Sequence, residues 1–128
     1  MEYYISFDIE IQDIDNKGYD SYKIAKYMLD DPYAFYPFKY QLKNFIKRIE
    51  MEPDLKYKFC FTHNDGVGWR RCNDEMIRLS KEFPEILFKV HCDYEIADHT
   101  WDKYFMNGKM QCCRPKVLPP SFDRSKLK

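Results

Sequence analysis

The stretch Ile86–Val117, ILFKVHCDYEIADHTWDKYFMNGKMQCCRPKV, decides the fold. Ile86, Phe88, Val90, Cys92 and Tyr94 alternate with Leu87, Lys89, His91 and Asp93, and a period of two marks a strand with one buried face. Ala97–His99 reads as a turn and Thr100–Met106 as a second strand. Asn107-Gly108 then reads as a two-residue hairpin turn, because Asn and Gly tolerate the positive φ that such turns require. A strand over about Lys109–Val117 completes a three-stranded antiparallel meander.

Upstream, Tyr3–Ile11 alternates in the same way, with Tyr3, Ile5, Phe7, Ile9 and Ile11 on one face and Ser6, Asp8 and Glu10 on the other. Asp13–Asp20 is rich in Asp, Asn and Gly and reads as a loop. Ser21 is the expected cap of a helix to about Leu29, stopped by Asp30-Asp31-Pro32. After an aromatic connector, Tyr33–Tyr36, a stronger helix runs to about Glu50. Its apolar positions Phe38, Leu42, Phe45, Ile46 and Ile49 recur at threes and fours, opposite Lys39, Lys43 and Lys47. Leu55–Thr62 alternates as another strand, and His63–Trp69 is a loop. Asn73 is the expected cap of a third helix to Phe83, with Asp74 and Glu75 suited to the positive end of its dipole.

The order is therefore β-α-α-β-α-β-β-β. Strands and helices in this arrangement predict an α+β two-layer sandwich, a mainly antiparallel sheet with helices on one face, in a ferredoxin-like variant. A single domain over 1–117 and an extended, Pro-containing basic tail over 118–128 fit a chain of 128 residues. At 45% hydrophobic and 18% aromatic the chain has enough apolar surface for a packed core.

Charge narrows the function classes. The 21 basic residues are matched by 21 acidic ones, whereas a dedicated nucleic-acid binder carries a basic excess to displace counterions. Nucleic-acid contact is therefore not favoured. The acidic start MEYYISFDIEI is not that of a secretory signal, and no apolar run is long enough for a membrane span. The five cysteines are odd in number and lack C-x-x-C spacing, which fits free thiols in the reducing cytoplasm.

The runs EMIRLSKEFPEILFKV (Glu75–Val90), WDKYFMNGKMQ (Trp101–Gln111) and SFDRSKL (Ser121–Leu127) resemble small ferredoxin-like domains encoded by phages and bacterial mobile elements. The resemblance spans Trp69 to Leu127, and the first sixty residues depart from it. Those families are mostly without assigned activity, so no catalytic residue is carried over.

Several residue sets have the chemistry for a site. FDIE (Phe7–Glu10) resembles the first motif of metal-dependent 3′–5′ exonucleases, in which two carboxylates on one strand face hold divalent metals. Here Asp8 and Glu10 would be that pair, although the exonuclease fold needs a longer chain and further acids; Asp93 and Glu95 repeat the spacing. Gly66–Arg71 joins a strand to a helix, and its backbone N–H groups with Arg70 and Arg71 suit a phosphate or nucleotide. Arg71 stands where a dinucleotide fingerprint needs glycine. His63, His91 and His99 with the cysteines lack the close pairs of a zinc site, and a Cys60–His91 pair needs the fold to bring it together. Lys39, Lys43 and Lys47 form a basic stripe. Trp69, Trp101, Tyr104 and the Tyr33–Tyr36 group are the aromatic candidates for an interface.

No set assembles an acid, a base and a nucleophile at a workable spacing, and none calls for a cofactor. The expectation is a non-enzymatic protein-binding module, with Trp69, Arg70, Arg71, Trp101, Tyr104, Lys39, Lys43 and Lys47 as candidate contacts. A mobile-element setting implies a host protein complex as the target, a defence system such as CRISPR–Cas included. A nuclease on Asp8 and Glu10 and a phosphate binder at Gly66–Arg71 are the alternatives.

Overall fold

The computed structural model describes residues 4–63, 69–94 and 100–113, together with Ser125 and Leu127. The chain runs β1 (Tyr4–Gln12), α1 (Ser21–Asp30), a 3-10 turn (Tyr36–Phe38), α2 (Lys39–Met51), β2 (Cys60–His63), α3 (Cys72–Glu82), β3 (Leu87–Tyr94), β4 (Thr100–Met106) and β5 (Lys109–Cys113). The class is α+β, and among the described residues there are a five-stranded antiparallel sheet and three α-helices. The sheet order is β2-β1-β3-β4-β5. Because β1 is antiparallel to both of its neighbours, β2 and β3 run parallel with β1 between them. α3 therefore joins them as a split β-α-β unit.

Alternation places the core. Phe7, Ile9 and Ile11 of β1 and Phe88, Val90 and Cys92 of β3 are buried with Ile24, Ala25 and Met28 of α1 and Leu42, Phe45 and Ile46 of α2. α3 adds Met76 and Leu79 and lies over β3, β4 and β5. Phe59, just before β2, and Phe61, within it, meet Phe45 edge-on at 6.3 and 5.1 Å, and Phe59 meets Phe88 at 6.2 Å. Edge-to-face rings match the positive rim of one to the negative face of the next.

The Asn107-Gly108 hairpin forms as expected, with φ of 52° and 74°. Its tip is docked on α3, for the Gly108 N–H donates to Ser80 Oγ at 2.9 Å.

Four local expectations are corrected. Asp20, not Ser21, caps α1: its carboxylate accepts from the Lys23 N–H, while the Ser21 hydroxyl donates to the Tyr57 carbonyl. Asn73 is not the cap of α3, because its side chain accepts from Lys103 Nζ at 2.9 Å. β2 is shorter than the alternation over Leu55–Thr62, since Tyr57 turns back to place its hydroxyl 2.9 Å from both the Arg48 and Glu52 carbonyls, which share its one proton. The segment before α2 adds a 3-10 turn. The turn at Ala97–His99, Gly66–Gly68, the end of the fifth strand after Cys113 and the tail, Ser125 and Leu127 apart, lie outside the described residues.

Candidate interaction surface

The segment between α1 and α2 sorts its aromatic residues sharply. The Asp31 carboxylate accepts from the N–H groups of Tyr33 and Ala34, at 3.0 and 3.1 Å, and pairs with Arg78 at 3.0 Å. The Tyr33 bond holds its pKa below the ordinary carboxylate range, against the opposing effect of burial. Phe35 then takes a left-handed φ of 58°, and Pro37 opens the 3-10 turn. Ala34, Phe35 and Phe38 face the core. Tyr33, Tyr36 and Tyr40 stand 87%, 81% and 78% exposed, more than almost any other large ring or aliphatic side chain described.

Tyr40, Lys43 and Lys47 lie at spacings of three and four along one side of α2, and Tyr36 precedes them in the 3-10 turn. Both lysines are exposed. The surface is thus aromatic at one end and cationic at the other.

Lys39 does not belong to this stripe. It reaches back to the end of α1, where its ammonium donates to the carbonyls of Met28 (2.8 Å), Leu29 (3.2 Å) and Asp31. Those are carbonyls that a helix C-terminus leaves without intrahelical partners. Burial pulls the Lys39 pKa down, against the attraction of Asp31, Glu75 and Asp30.

Trp69 is a core ring. It is 6% exposed, meets Phe38 at 5.0 Å and Phe7 at 5.6 Å, and donates its indole N–H to Glu75 Oε1 at 2.7 Å. That oxygen also accepts from the Phe35 N–H at 2.8 Å, so one buried carboxylate ties the aromatic segment to α3. Tyr104 is buried as well, and Trp101 is half-buried against the core. Neither Trp69 nor Tyr104 offers a ring to a partner. Arg70 and Arg71 are exposed before α3, whose first turn carries Asp74 and Glu75, acids that oppose an anion there.

The second sheet face is polar and crossed by a charged row. Register aligns Thr62, Asp8, His91, Asp102 and Cys113 across the five strands, with Cys60, Glu10, Lys89, Tyr104 and Gln111 in the next row. Asp8 and Glu10 do share a face. Glu10 pairs with Lys89 at 3.8 Å, and Asp8 lies opposite His91. Cys60 and His91 are not brought together: β1 separates their strands and they stand in different rows. Among the described residues no group of three or more His, Cys, Asp or Glu is arranged to hold a metal ion.

His91 bridges two carboxylates, with Nδ1 2.6 Å from Asp102 and Nε2 3.0 Å from Asp93. Both nitrogens are engaged, so the ring is not free to take a proton from a nucleophile. Burial disfavours the imidazolium, but the hydrogen bond to Asp102 and the charges of Asp93 and Asp102 outweigh it and raise the pKa. A raised pKa contributes stability fully present below the unfolded value of about 6.5 and lost as pH rises through the folded value. The His91 side chain is 35% exposed, and solvent screening holds the effect to about 1 kcal/mol. Wild type is therefore expected to exceed Asp102→Asn in stability by about that amount near pH 5.5, a margin that narrows toward about pH 8.5. Urea denaturation at several pH values reads it; a margin widening with pH would rule out the imidazolium.

Cys72 and Cys92 are buried and hydrogen-bonded to each other beside Lys103, whereas Cys60 and Cys112 are exposed. Among the described residues no helix is long and apolar enough to cross a membrane. Compared with models of protein families, with curated proteins and with solved structures, the chain matches none.

Proposed function

We propose that this chain is a non-enzymatic protein-binding module that docks through Tyr33, Tyr36, Tyr40, Lys43 and Lys47 onto an acidic protein surface. The exposure of three tyrosines within one short segment carries the reading. Tyrosine brings a large apolar ring and a polar tip at low entropic cost, and it is enriched among residues that dominate binding energy. A fold with this many rings has no packing reason to leave these three in water. Lys43 and Lys47 fix the sign of the partner: opposite charge steers association and rejects basic surfaces. The balanced charge of the whole chain favours a protein over a nucleic acid.

The split β-α-β unit supports a ferredoxin-like variant as the scaffold. The resemblance to phage and mobile-element domains favours a host protein complex as the partner, a defence complex being one such class.

The test is affinity capture by the tagged full chain from bacterial lysate, compared with Tyr36→Ala/Tyr40→Ala and Lys43→Glu/Lys47→Glu. An acidic protein retained by wild type should bind at least ~30-fold more weakly to the tyrosine variant, the effect of losing one strong anchor. The lysine variant should bind more weakly still at low salt. Both variants alter exposed positions and should unfold at the wild-type urea concentration. Capture abolished by nuclease would transfer the surface to nucleic acid, and capture unchanged in both variants would remove it as the site.

A further inference from the structure

We propose that the cleft between the loop after β1 and the connection from α3 to β3 binds a small amphiphilic amine, an aryl or alkyl body carrying one ammonium group. The cleft encloses about 330 Å³. At about 30 Å³ per water-sized group, that is room for roughly ten non-hydrogen atoms. It lies at the lower end of the volumes of small-molecule sites. None of its walls belongs to the tyrosine–lysine surface.

The floor is apolar. Ile11 and Leu87, at the paired ends of β1 and β3, are buried, and Ile86, Phe83 and Met106 are half-buried around them. Ile14 stands 48% exposed at the mouth. A ligand body seated there removes aliphatic surface from water on both sides, the main favourable term for such a site.

The loop wall is fixed before any ligand arrives. The Asp13 carboxylate accepts from the Lys17 and Gly18 N–H groups at 3.0 and 2.7 Å, and Gly18 takes a φ of 78°. A loop pinned by its own side chain loses little freedom on binding.

The rim decides the sign of the ligand. Asp13, Asp15, Glu82 and Glu85 line the cleft, with Lys17 the only cation among the described lining residues. Glu82 and Glu85 are exposed and make no ion pair or side-chain hydrogen bond among the described residues. Glu82 is also the last residue of α3, whose C-terminal carbonyls present the negative end of the helix dipole. Carboxylates and dipole act together, so a cationic head is attracted and an anionic head is repelled.

Three probes of nearly equal size and different charge test this: phenethylamine, 2-phenylethanol and phenylacetate. Titration of the full-length ¹⁵N-labelled protein should shift amides of residues 13–19 and 82–87 with phenethylamine, more weakly with the alcohol and not with the carboxylate. Glu82→Gln/Glu85→Gln should weaken phenethylamine at least tenfold and leave the alcohol unchanged, since it keeps the shape and removes the charge. Three probes of equal affinity, an amine unaffected by the double variant, or no shift in these segments up to the solubility limit would each overturn the proposal.

Discussion

Trp69→Ala is expected to destabilise the fold by about 3–5 kcal/mol, the range for deleting a large buried aromatic side chain. Three effects add at this position. The ring is surrounded by Phe7, Phe35 and Phe38, at 5.6, 6.2 and 5.0 Å, so its removal opens a cavity that rigid rings close poorly. Its N–H bond to Glu75 is lost, leaving the carboxylate buried with the Phe35 N–H as its remaining described donor. Phe35, a bulky residue in a left-handed conformation, is anchored through the same carboxylate. Trp69→Phe keeps most of the packing and removes the donor, for an expected cost of about 1–2 kcal/mol. A cycle of Trp69→Phe with Glu75→Gln should return a coupling energy of at least ~0.5 kcal/mol, as residues in contact do. Urea denaturation measures each. A loss below ~1 kcal/mol for Trp69→Ala would place the ring outside the core.

This result also governs how binding is tested. A typical domain holds about 5–15 kcal/mol in total. An alanine at Trp69 that fails to capture a partner therefore confounds lost stability with lost recognition, and the exposed tyrosines and lysines are the positions that separate the two.

Much of the fold is legible in the chain because its signals are local. Period two over Ile86–Tyr94, the Asn107-Gly108 dipeptide and the three-four spacing from Phe38 to Ile49 depend on near neighbours, and each gives its element. The β2 boundary is not local: Tyr57 is drawn from the strand by carbonyls at the end of α2, which alternation does not register. Nor is the His91–Asp102 contact, because it is a cross-strand pairing that the alternation within either strand alone does not specify.

The proposed interaction surface is partly readable in the sequence. Once Leu42, Phe45 and Ile46 are assigned inward, Tyr40 falls on the opposite side of α2, in line with Lys43 and Lys47. Composition works against that reading, because an aromatic residue is assigned to the core by default. Trp69 obeys the default, Tyr104 is buried although it stands on the polar sheet face, and Tyr33, Tyr36 and Tyr40 are exposed. The Asp31 turn and the left-handed Phe35 leave Tyr33 and Tyr36 outside while Ala34 and Phe35 face inward, and Tyr40 lies on the outer face of α2.

Lys39 is the case in which a helical stripe misleads most, and its replacement tests why. Lys39→Met keeps the length of the stem and deletes the donors that face the Met28, Leu29 and Asp31 carbonyls. Two effects compete. Burial disfavours the ammonium, which is why its pKa falls, and relief of that cost would favour methionine. Against it, three carbonyls at the end of α1 lose their partner, and an unmade bond to a partly buried group costs about 1–3 kcal/mol. The lowered pKa compares ammonium with amine, both of which donate, whereas methionine donates nothing. The carbonyls should therefore win, for a net loss of about 2 kcal/mol. The pH dependence follows with its sign. A lysine whose folded pKa lies below its unfolded value of about 10.4 binds its proton more weakly when folded, so stability rises with pH between the two values. Lys39→Met lacks that gain, and its deficit relative to wild type should widen from neutral pH toward about pH 10. Urea denaturation of both proteins across that interval reads the difference with every other group held in common. A deficit that closes as pH rises would mean that the charge, and not the donors, holds the end of α1.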